Sequence, residues 1–227
     1  MIAEQRLVAL VPMRHQSERV PGKNYRLLAD KPLYMHILDT LHQCSEIAEI
    51  VVDTDSPIIM QGISESYPQV RLIERPEHLR AADVAMNEVL FHDVHQIGAP
   101  FYLQTHSTNP LLRGGTISNA IAAFFDVFPK YDSLFSVSKQ QARFWDTQGK
   151  PVNHDPSILV RTQDLTPFYE ENSCIYIFEQ STFLARANRI GEKPFLYEVE
   201  REEAWDIDEE LDFLIADFLM RERLRQE

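Results

Sequence analysis

The chain has 227 residues, of which 44% are hydrophobic and 25% are charged, a size and composition suited to one large α/β domain with a substantial core. Its 22 basic and 35 acidic residues give a formal net charge of −13, which disfavours nonspecific binding to nucleic acid or to anionic lipid. No stretch approaches the roughly 18 consecutive apolar residues of a membrane span, and the opening MIAEQRLVAL lacks the pattern of a signal peptide. We therefore expect a cytoplasmic protein with no nucleic-acid or membrane partner, in which a few placed cations hold any anionic ligand.

Short apolar runs and helical periodicities alternate along most of the chain. In chain order the predicted elements are a strand over 7–11, a helix from Pro32, a strand over 49–54, a helix opening near Ser56, a strand over 70–73, a helix over 83–97, a strand over 101–104, a helix over 116–128, strands over 133–137 and 174–178, a short helix from Ser181, a strand near 195–197 and a helix from Glu209. This alternation predicts an α/β fold with a doubly wound, mostly parallel sheet. In the last helix, the spacing of Leu211, Leu214-Ile215 and Phe218-Leu219 predicts the buried stripe.

Residues 139–171 interrupt this rhythm. The segment is polar, carries Pro151, Pro156 and Pro167, and shows no long periodicity. Ordered segments of this length are often functional excursions or subunit contacts. We predict a single domain over 1–227 with an excursion at 139–171.

The stretch VPMRHQSERVPGKN, residues 11–24, concentrates cations directly behind the first predicted strand. Ligands of open α/β sheets bind beyond the carboxyl ends of the strands. Arg14 and Arg19 offer forked hydrogen bonds to a polyphosphate and Lys23 a point charge, with Ser17 as a neutral donor. The motifs GxxxxGK and GxGxxG are absent. The alternative interpretation is a solvated basic loop with a Pro-Gly turn.

Two further segments carry polar groups that suit a ligand. In WDIDEE, residues 205–210, Asp206 and Asp208 point the same way if the chain is extended, an arrangement suited to Mg²⁺; the alternative is that Asp208 caps the last helix. The segment QTHSTNP, residues 104–110, follows a predicted strand and is either a site for a polar ligand or an ordinary polar loop.

Five segments in this order resemble the acylneuraminate cytidylyltransferases, the CMP–sialic acid synthetases and their relatives. The family's opening motif, (I/V)PAR-x-x-S-K-G-x-P-x-K-N, is similar to residues 11–24. The other four segments are RPEHLRAAD, YLQTHSTNPLL, RTQDLTPFYEENSCIYIF and WDIDEELD. Together they cover nearly the whole chain.

The chain also departs from the sialate pattern. Arg19 resembles the arrangement of the related CMP-Kdo synthetases, whose motif is similar to S-x-R-L-P-G-K, and Glu170 stands where sialate enzymes often carry a basic residue. These departures affect the identity of the sugar more than the reaction.

The resemblance implies the Rossmann-like fold of the nucleotide-diphospho-sugar transferases and transfer of CMP from the co-substrate CTP to a 2-keto acid sugar. The expected acceptor is sialic acid or a relative such as legionaminic or pseudaminic acid. Kdo or amino-Kdo is the alternative acceptor, and a non-catalytic nucleotide-sugar-binding protein is the alternative function. The resemblance further implies Mg²⁺ and a homodimer formed through the excursion, whose partner chain helps to close the sugar pocket.

The combined motifs and resemblance assign roles to individual residues. The predicted catalytic residues are Arg14, Lys23, Arg161, Asp206 and Asp208, with Asp206 and Asp208 as the metal ligands. The predicted CTP-binding residues are Arg14, Ser17, Arg19, Lys23, Asn24, Arg75, Asp83 and Asn87. The predicted sugar-binding residues are Gln104, His106, Asn109, Arg161, Gln163 and Asn172.

Overall fold

The structure, a computed structural model, describes residues 6–226. The predicted absence of a signal peptide concerns residues that lie mostly outside this range. The strands are β1 (Leu7–Leu10), β2 (Leu27–Leu28), β3 (Lys31–Pro32), β4 (Ile47–Thr54), β5 (Arg71–Glu74), β6 (Phe101–Gln104), β7 (Ser133–Gln140), β8 (Phe168–Glu179) and β9 (Pro194–Glu198). The α-helices are α1 (Leu33–His42), α2 (Pro57–Ser66), α3 (Met86–Ile97), α4 (Gly114–Val127), α5 (Gln180–Arg186) and α6 (Glu210–Leu224).

Seven strands form one sheet in the order β5-β4-β1-β6-β8-β7-β9, and β2 pairs with β3 in a small antiparallel sheet. The strands β5, β4, β1 and β6 run parallel to one another, β8 is antiparallel to both of its neighbours, and β9 is parallel to β7. The predicted α/β fold with a mostly parallel central sheet is confirmed. The strand order reverses at β1, since β4 lies on one side of it and β6 on the other. Such a reversal opens a crevice at the carboxyl ends of the strands.

The central strand β1 is buried on both faces. Leu7 and Ala9 pack in a core cluster with α1, α2 and α4, whereas Val8 and Leu10 pack in a second cluster with α3 and α5. Burial on both faces is typical of parallel strands covered by helices, and it explains why the sequence of β1 is continuously apolar rather than alternating.

The strand β8 is longer than predicted, because it begins at Phe168 rather than Cys174. Its first residues pair with the end of β7 in an antiparallel arm, with Val137 opposite Glu171 and Gln140 opposite Phe168. This arm extends into solvent and is polar, so its sequence lacks the apolar pattern of the core strands. The irregular part of the predicted excursion is therefore confined to residues 141–167, between the two strands of the arm.

Two predicted helix starts are shifted in the structure. Residues 81–83 form a turn, and α3 begins at Met86 rather than at Asp83. Glu209, rather than Asp208, is the N-cap of α6, where it forms a capping box with Asp212. Asp208 is therefore not needed to cap the helix.

The predicted buried stripe of α6 is wrong at three of its five residues, whereas Ile215 and Leu219 are half-buried. Leu211, Leu214 and Phe218 are each more than half exposed. The buried residues are Phe213, Ala216 and Met220, which pack with Val20, Leu28, Leu33 and Leu111. The buried stripe was hard to recognise because the small Ala216 and the charged Asp217 lie within it; the Asp217 carboxylate accepts a hydrogen bond from the amide of Ala29.

None of the helices in residues 6–226 combines the length and the apolarity that crossing a bilayer requires. The single-domain division over 1–227 stays a prediction.

A charged cluster lies buried between the ends of β4 and β5 and helix α3. Arg75 is only 2% exposed, and its Nε donates a hydrogen bond to Asp53 Oδ1. Burial raises the pKa of Asp93, and the neighbouring Asp53 carboxylate raises it further. Two carboxyls that share one guanidinium are favoured when one of them stays protonated, and a hydrogen bond from Asp93 then satisfies Asp53.

We expect Asp93→Asn to reduce the pH dependence of stability. A carboxyl whose pKa is raised by folding contributes stability that is fully present below its unfolded pKa of about 3.9 and is lost as the pH rises through the folded pKa. The side-chain amide introduced by this substitution would donate to Asp53 at every pH. The free energy of unfolding from urea denaturation should therefore fall less between about pH 5 and pH 8 in the variant, by on the order of 1–3 kcal/mol.

The matched control is Asp126→Asn, at an exposed position on α4, which should keep the pH dependence of the parent protein. Equal slopes for Asp93→Asn and the parent would show that Asp93 is ionised in the folded state.

Candidate functional site

A cleft of about 460 Å³ opens at the carboxyl ends of β1 and β6. The loop after β1, the loop after β6 and the segment before α6 all line it. Its charged and polar lining includes Arg14, Ser17, Arg19, Lys23, Asn24, Arg75, His106, Ser107, Thr108, Ser173, Arg189, Asp206 and Asp208. The cationic loop and the two aspartates, which are far apart in sequence, therefore share one cleft.

The loop after β1 is held at two points, by a backbone hydrogen bond near its start and by a buried side chain near its end. The amide of Met13 donates to Asp53 O over 2.8 Å, which extends the parallel pairing with β4, and Val20 is buried in the core beside α6. Gly22 has φ = 68°, and a Cβ at this position would lie 2.9 Å from the Tyr25 ring. This left-handed, crowded turn requires glycine, and it directs the following Lys23 into the cleft.

Asn24 joins the loop after β1 to the loop after β6. Its Nδ2 donates to Arg14 O, and its Oδ1 accepts from Ser107 Oγ, both over 2.8 Å. The side chain lines the cleft but its hydrogen-bonding groups are engaged within the protein. Asn24 thus fixes the backbone from which Arg14 projects.

Lys23 lies between the two aspartates. Its Nζ donates to the carbonyl oxygen of Ile207. Burial lowers the pKa of Lys23, while the negative charges of Asp206 and Asp208 raise it. Ionised carboxylates on either side thus favour the protonated ammonium that an anionic ligand requires.

The aspartates are positioned by the residue between them. Ile207 is fully buried in the cluster beside α6, and its amide donates to Thr108 O over 3.0 Å. Because the chain is extended there, Asp206 and Asp208 both turn away from the core and into the cleft. Asp208 pairs with Arg19, with Nη2 and Oδ1 2.5 Å apart.

Asp206 is suited to a cation. Burial raises the pKa of its carboxyl, a hydrogen bond from Thr108 lowers it, and the charge of Asp208 raises it again. Its buried Oδ1 has no hydrogen-bond partner among the described residues. Within residues 6–226 no group of three His, Cys, Asp or Glu side chains is arranged to hold a metal. Two carboxylates without a third protein ligand fit Mg²⁺, which commonly takes its remaining ligands from phosphate and water.

A chain of hydrogen bonds runs from the cleft to the end of β6. Its middle member, Gln104, is fully buried and does not itself line the cleft. Arg189 Nη1 donates to Gln104 Oε1, and Gln104 Nε2 contacts His106 Nε2 over 2.9 Å. The Gln104 amide is a donor at Nε2, so His106 Nε2 accepts and its Nδ1 carries the proton. Burial lowers the pKa of His106 to about 3, with further lowering by Arg189 and Lys23. His106 is therefore neutral at physiological pH.

Two residues predicted to bind CTP do not line the cleft. Asp83 lies exposed in the turn before α3, although its neighbours Ala82 and Val84 line the cleft. Asn87 lies one residue into α3, and its Oδ1 accepts from the amide of Arg189 over 3.4 Å. It supports the segment that carries Arg189.

Two residues predicted to bind the sugar make hydrogen bonds within the protein. Asn109 is fully buried, and its Nδ2 donates to Trp205 O over 3.4 Å. Asn172 lies at the irregular pairing of β7 with β8, where Ser136 Oγ donates to its Oδ1 and its Nδ2 donates to Ser138 Oγ. Neither side chain lines the cleft.

The predicted residues Arg161 and Gln163 lie in the excursion and do not line the cleft of their own chain. Arg161 is largely exposed and pairs with Asp164, with Nε and Oδ2 2.6 Å apart. Gln163 O accepts from Gln141 Nε2 over 2.7 Å. The excursion and the cleft are thus separate in the single chain.

The sequence analysis missed Arg189 as a residue of the cleft. It follows α5 in the segment ARANRIGEKP, which has no motif and lies outside the five segments that carry the family resemblance. Its position depends on the return of the chain from α5 to β9, which is a feature of the tertiary structure.

Known proteins similar to this chain are cytidylyltransferases. The chain is 31% identical to the CMP-N,N'-diacetyllegionaminic acid synthase of Legionella pneumophila, over 95% of this chain and 96% of that protein. It is 25% identical to the N-acylneuraminate cytidylyltransferase of Escherichia coli O18:K1:H7 over 97% of its length, and spans 54% of that longer protein.

The fold is similar to that of a solved CMP:2-keto-3-deoxy-manno-octonic acid synthetase in complex with CTP. The TM-score is 0.72 over 96% of this chain and 99% of that chain, at 15% sequence identity. A family model described as Cytidylyltransferase matches residues 8–220. Because this match spans nearly the whole sequence, the chain belongs to the cytidylyltransferase family, as its motifs predicted.

Proposed function

We propose that this enzyme transfers the cytidylyl group of CTP to a nine-carbon 2-keto acid sugar of the sialic, legionaminic or pseudaminic type and releases pyrophosphate. The observation that carries the proposal is that Arg14, Arg19 and Lys23 share a cleft with Asp206 and Asp208. The names of the two similar proteins support an acceptor of this class.

In the proposed reaction the anomeric hydroxyl of the sugar attacks the α-phosphorus of CTP. A bond forms between that oxygen and phosphorus, the hydroxyl proton passes to water, and the bond from phosphorus to the bridging oxygen of pyrophosphate breaks. Arg14, Arg19 and Lys23 stabilise the negative charge that develops on the leaving group. Asn24 and Gly22 hold the loop that carries these three cations, so the cations are in position before the ligand binds.

Asp206 and Asp208 would hold Mg²⁺ when CTP is bound. The ion supplies neutralisation of phosphate charge and alignment of the attacking and leaving oxygens. In the structure Arg19 pairs with Asp208, and Arg19 would be available to contact phosphate when Asp208 holds the ion.

A second acceptor class is favoured by one observation. Arg19 occupies the position of the arginine in the S-x-R-L-P-G-K motif of the CMP-Kdo synthetases, and its side chain lines the cleft. Kdo or amino-Kdo is therefore the competing acceptor for the same chemistry.

Purified protein with CTP and Mg²⁺ should release pyrophosphate with one or more of sialic, legionaminic and pseudaminic acid, measured by a coupled phosphate assay. Kdo and amino-Kdo should react at least tenfold more slowly, and UTP should replace CTP poorly. Turnover with Kdo alone would assign the enzyme to the competing acceptor. Calorimetric binding of CTP with no turnover on any acid would favour a non-catalytic nucleotide-binding protein.

Asp206→Asn should lower kcat by about 100-fold or more, the scale of losing one preorganised charge-stabilising group, and should raise the Mg²⁺ concentration that gives half-maximal rate. The matched control is Glu210→Gln, which alters an exposed carboxylate paired with Arg26 outside the cleft and should leave both parameters unchanged. A near-normal rate with normal Mg²⁺ dependence for Asp206→Asn would remove Asp206 from the proposed metal site.

The excursion supports the proposed homodimer. Leu159 is 91% exposed, and Trp145, Val152 and Ile158 are each more than half exposed within the same segment. Clustered exposed apolar side chains of this kind mark interaction surfaces. We propose that a second copy of the chain covers them and brings its excursion towards the sugar end of the cleft.

Leu159→Asp should therefore convert a dimer into a monomer of 26.4 kDa in sedimentation equilibrium, because an interface cannot bury an unpaired carboxylate without a large desolvation cost. Leu214→Asp, at the exposed apolar side of α6, should remain dimeric. Dissociation by Leu214→Asp but not by Leu159→Asp would place the interface on α6, and a monomeric parent protein would refute the dimer.

A further inference from the structure

Arg189 contributes a guanidinium to the cleft from the segment between α5 and β9. Its Cζ lies 3.6 Å from the centroid of the Tyr176 ring, so one face of the guanidinium is stacked on an aromatic residue of the sheet. The amide of Arg189 donates to Asn87 on α3. Contacts with β8 and α3 thus hold this side chain at a defined place in the cleft.

Arg189 has no carboxylate within ion-pairing distance among residues 6–226. Two other arginines of the cleft have such partners, since Arg19 pairs with Asp208 and Arg75 with Asp53. Burial lowers the pKa of Arg189, because the charged guanidinium loses part of its hydration. A partly buried cation without a counter-ion is stabilised when a ligand supplies the anion.

The nearest acidic residue is engaged elsewhere. Glu171 raises the pKa of Arg189 through its charge, but its Oε1 accepts a hydrogen bond from the Tyr176 hydroxyl. Tyr176 therefore lies against both groups, with its ring on Arg189 and its hydroxyl on Glu171. This leaves the guanidinium without a direct carboxylate contact.

The orientation of the guanidinium suits a planar anion. Nη1 donates to Gln104 Oε1, and Tyr176 is the other side chain in hydrogen-bonding contact with the guanidinium. The edge formed by Nε and Nη2 has no carboxylate or carbonyl partner among the described residues. A guanidinium edge of this kind donates two parallel hydrogen bonds to a carboxylate. Gln104 fixes the position of this edge.

Arg189 and the cations beside the aspartates have different contacts. Lys23 and Arg19 contact Ile207 and Asp208 directly, whereas Arg189 contacts Gln104 and Tyr176. Neutral His106 is within electrostatic reach of both Lys23 and Arg189. The cleft therefore holds two sets of cations that differ in their contacts, and the substrate pair of the proposed function carries two anionic groups, the triphosphate and the sugar carboxylate.

We infer that Arg189 binds the carboxylate of the acid sugar within the same chain, with Gln104 positioning the guanidinium. The inference rests on the proposed function. The sequence analysis expected Arg161 to bind the sugar, but Arg161 pairs with Asp164 outside the cleft of its own chain.

The test combines variants of the protein with variants of the substrate. The protein variants are Arg189→Gln, Arg189→Lys, Arg161→Gln and, as the matched control, Arg186→Gln, which removes an exposed arginine at the end of α5 that pairs with Glu192. The substrates are the acid that the parent protein uses best and the methyl ester of that acid, with KM also measured for CTP. Thermal melting of each variant shows whether it is folded.

Arg189→Gln should raise KM for the acid by about 10- to 100-fold, the range for losing a hydrogen bond to a charged group, with KM for CTP within about twofold of the parent. The parent, Arg186→Gln and Arg161→Gln should prefer the acid to its ester, and Arg189→Gln should use the two with nearly equal efficiency. Arg189→Lys keeps the charge but lacks the fork, so its preference should be intermediate.

An unchanged preference for the acid in Arg189→Gln would overturn the inference, as would a raised KM for CTP alone. Loss of the preference in Arg161→Gln but not in Arg189→Gln would assign the carboxylate to the excursion. If Arg189→Gln does not fold, a full preference in Arg189→Lys with unchanged KM would overturn the inference equally. A parent protein that turns over no acid at all would instead refute the proposed function, and the inference with it.

Discussion

The site depends on the contact between Lys23 and the carbonyl of Ile207, residues separated by 184 positions in the sequence. Ile207 is anchored in the core beside α6, and the aspartates on either side of it are thereby turned into the cleft. The Lys23 ammonium reaches this segment from the loop after β1. Without this contact the cationic loop after β1 would be held less closely to the segment that carries Asp206 and Asp208. The opposite charges that favour a metal-nucleotide would then lie farther apart.

The sheet was predictable wherever burial on both faces imposes a continuous apolar run, as in β1 and the end of β8. The polar arm formed by β7 and β8 was not, because strands in solvent need no apolar residues. The stripe of α6 was wrong for another reason. Two apolar stripes compete on that helix, and the choice between Phe213 and Leu214 depends on contacts with Val20 and Leu28, which are distant in sequence.

The same distinction applies to the site. Arg14, Lys23 and Asp206 were recognisable because each stands in a contiguous motif, and all three line the cleft. The position of Asn109 outside the cleft was not predictable, because a short amide in a loop can equally satisfy a distant backbone group, here the carbonyl of Trp205. Arg189 was missed because no local pattern identifies it. Its partner Gln104 lies 85 positions away, and only the completed sheet brings the two together.

The charge arrangement suggests why an acidic chain uses separate cations for its two substrates. A triphosphate and a carboxylate repel each other, and the repulsion grows as a closed site excludes water. One shared cation would offset only one of them. Lys23 and Arg19 beside the aspartates form one set of cations, and Arg189 stacked on Tyr176 is the other. Neutral His106, which is near both, adds no charge that would draw either anion out of position. The discrimination between acid sugars and neutral sugars would then reside in Arg189, apart from the groups that act on the nucleotide.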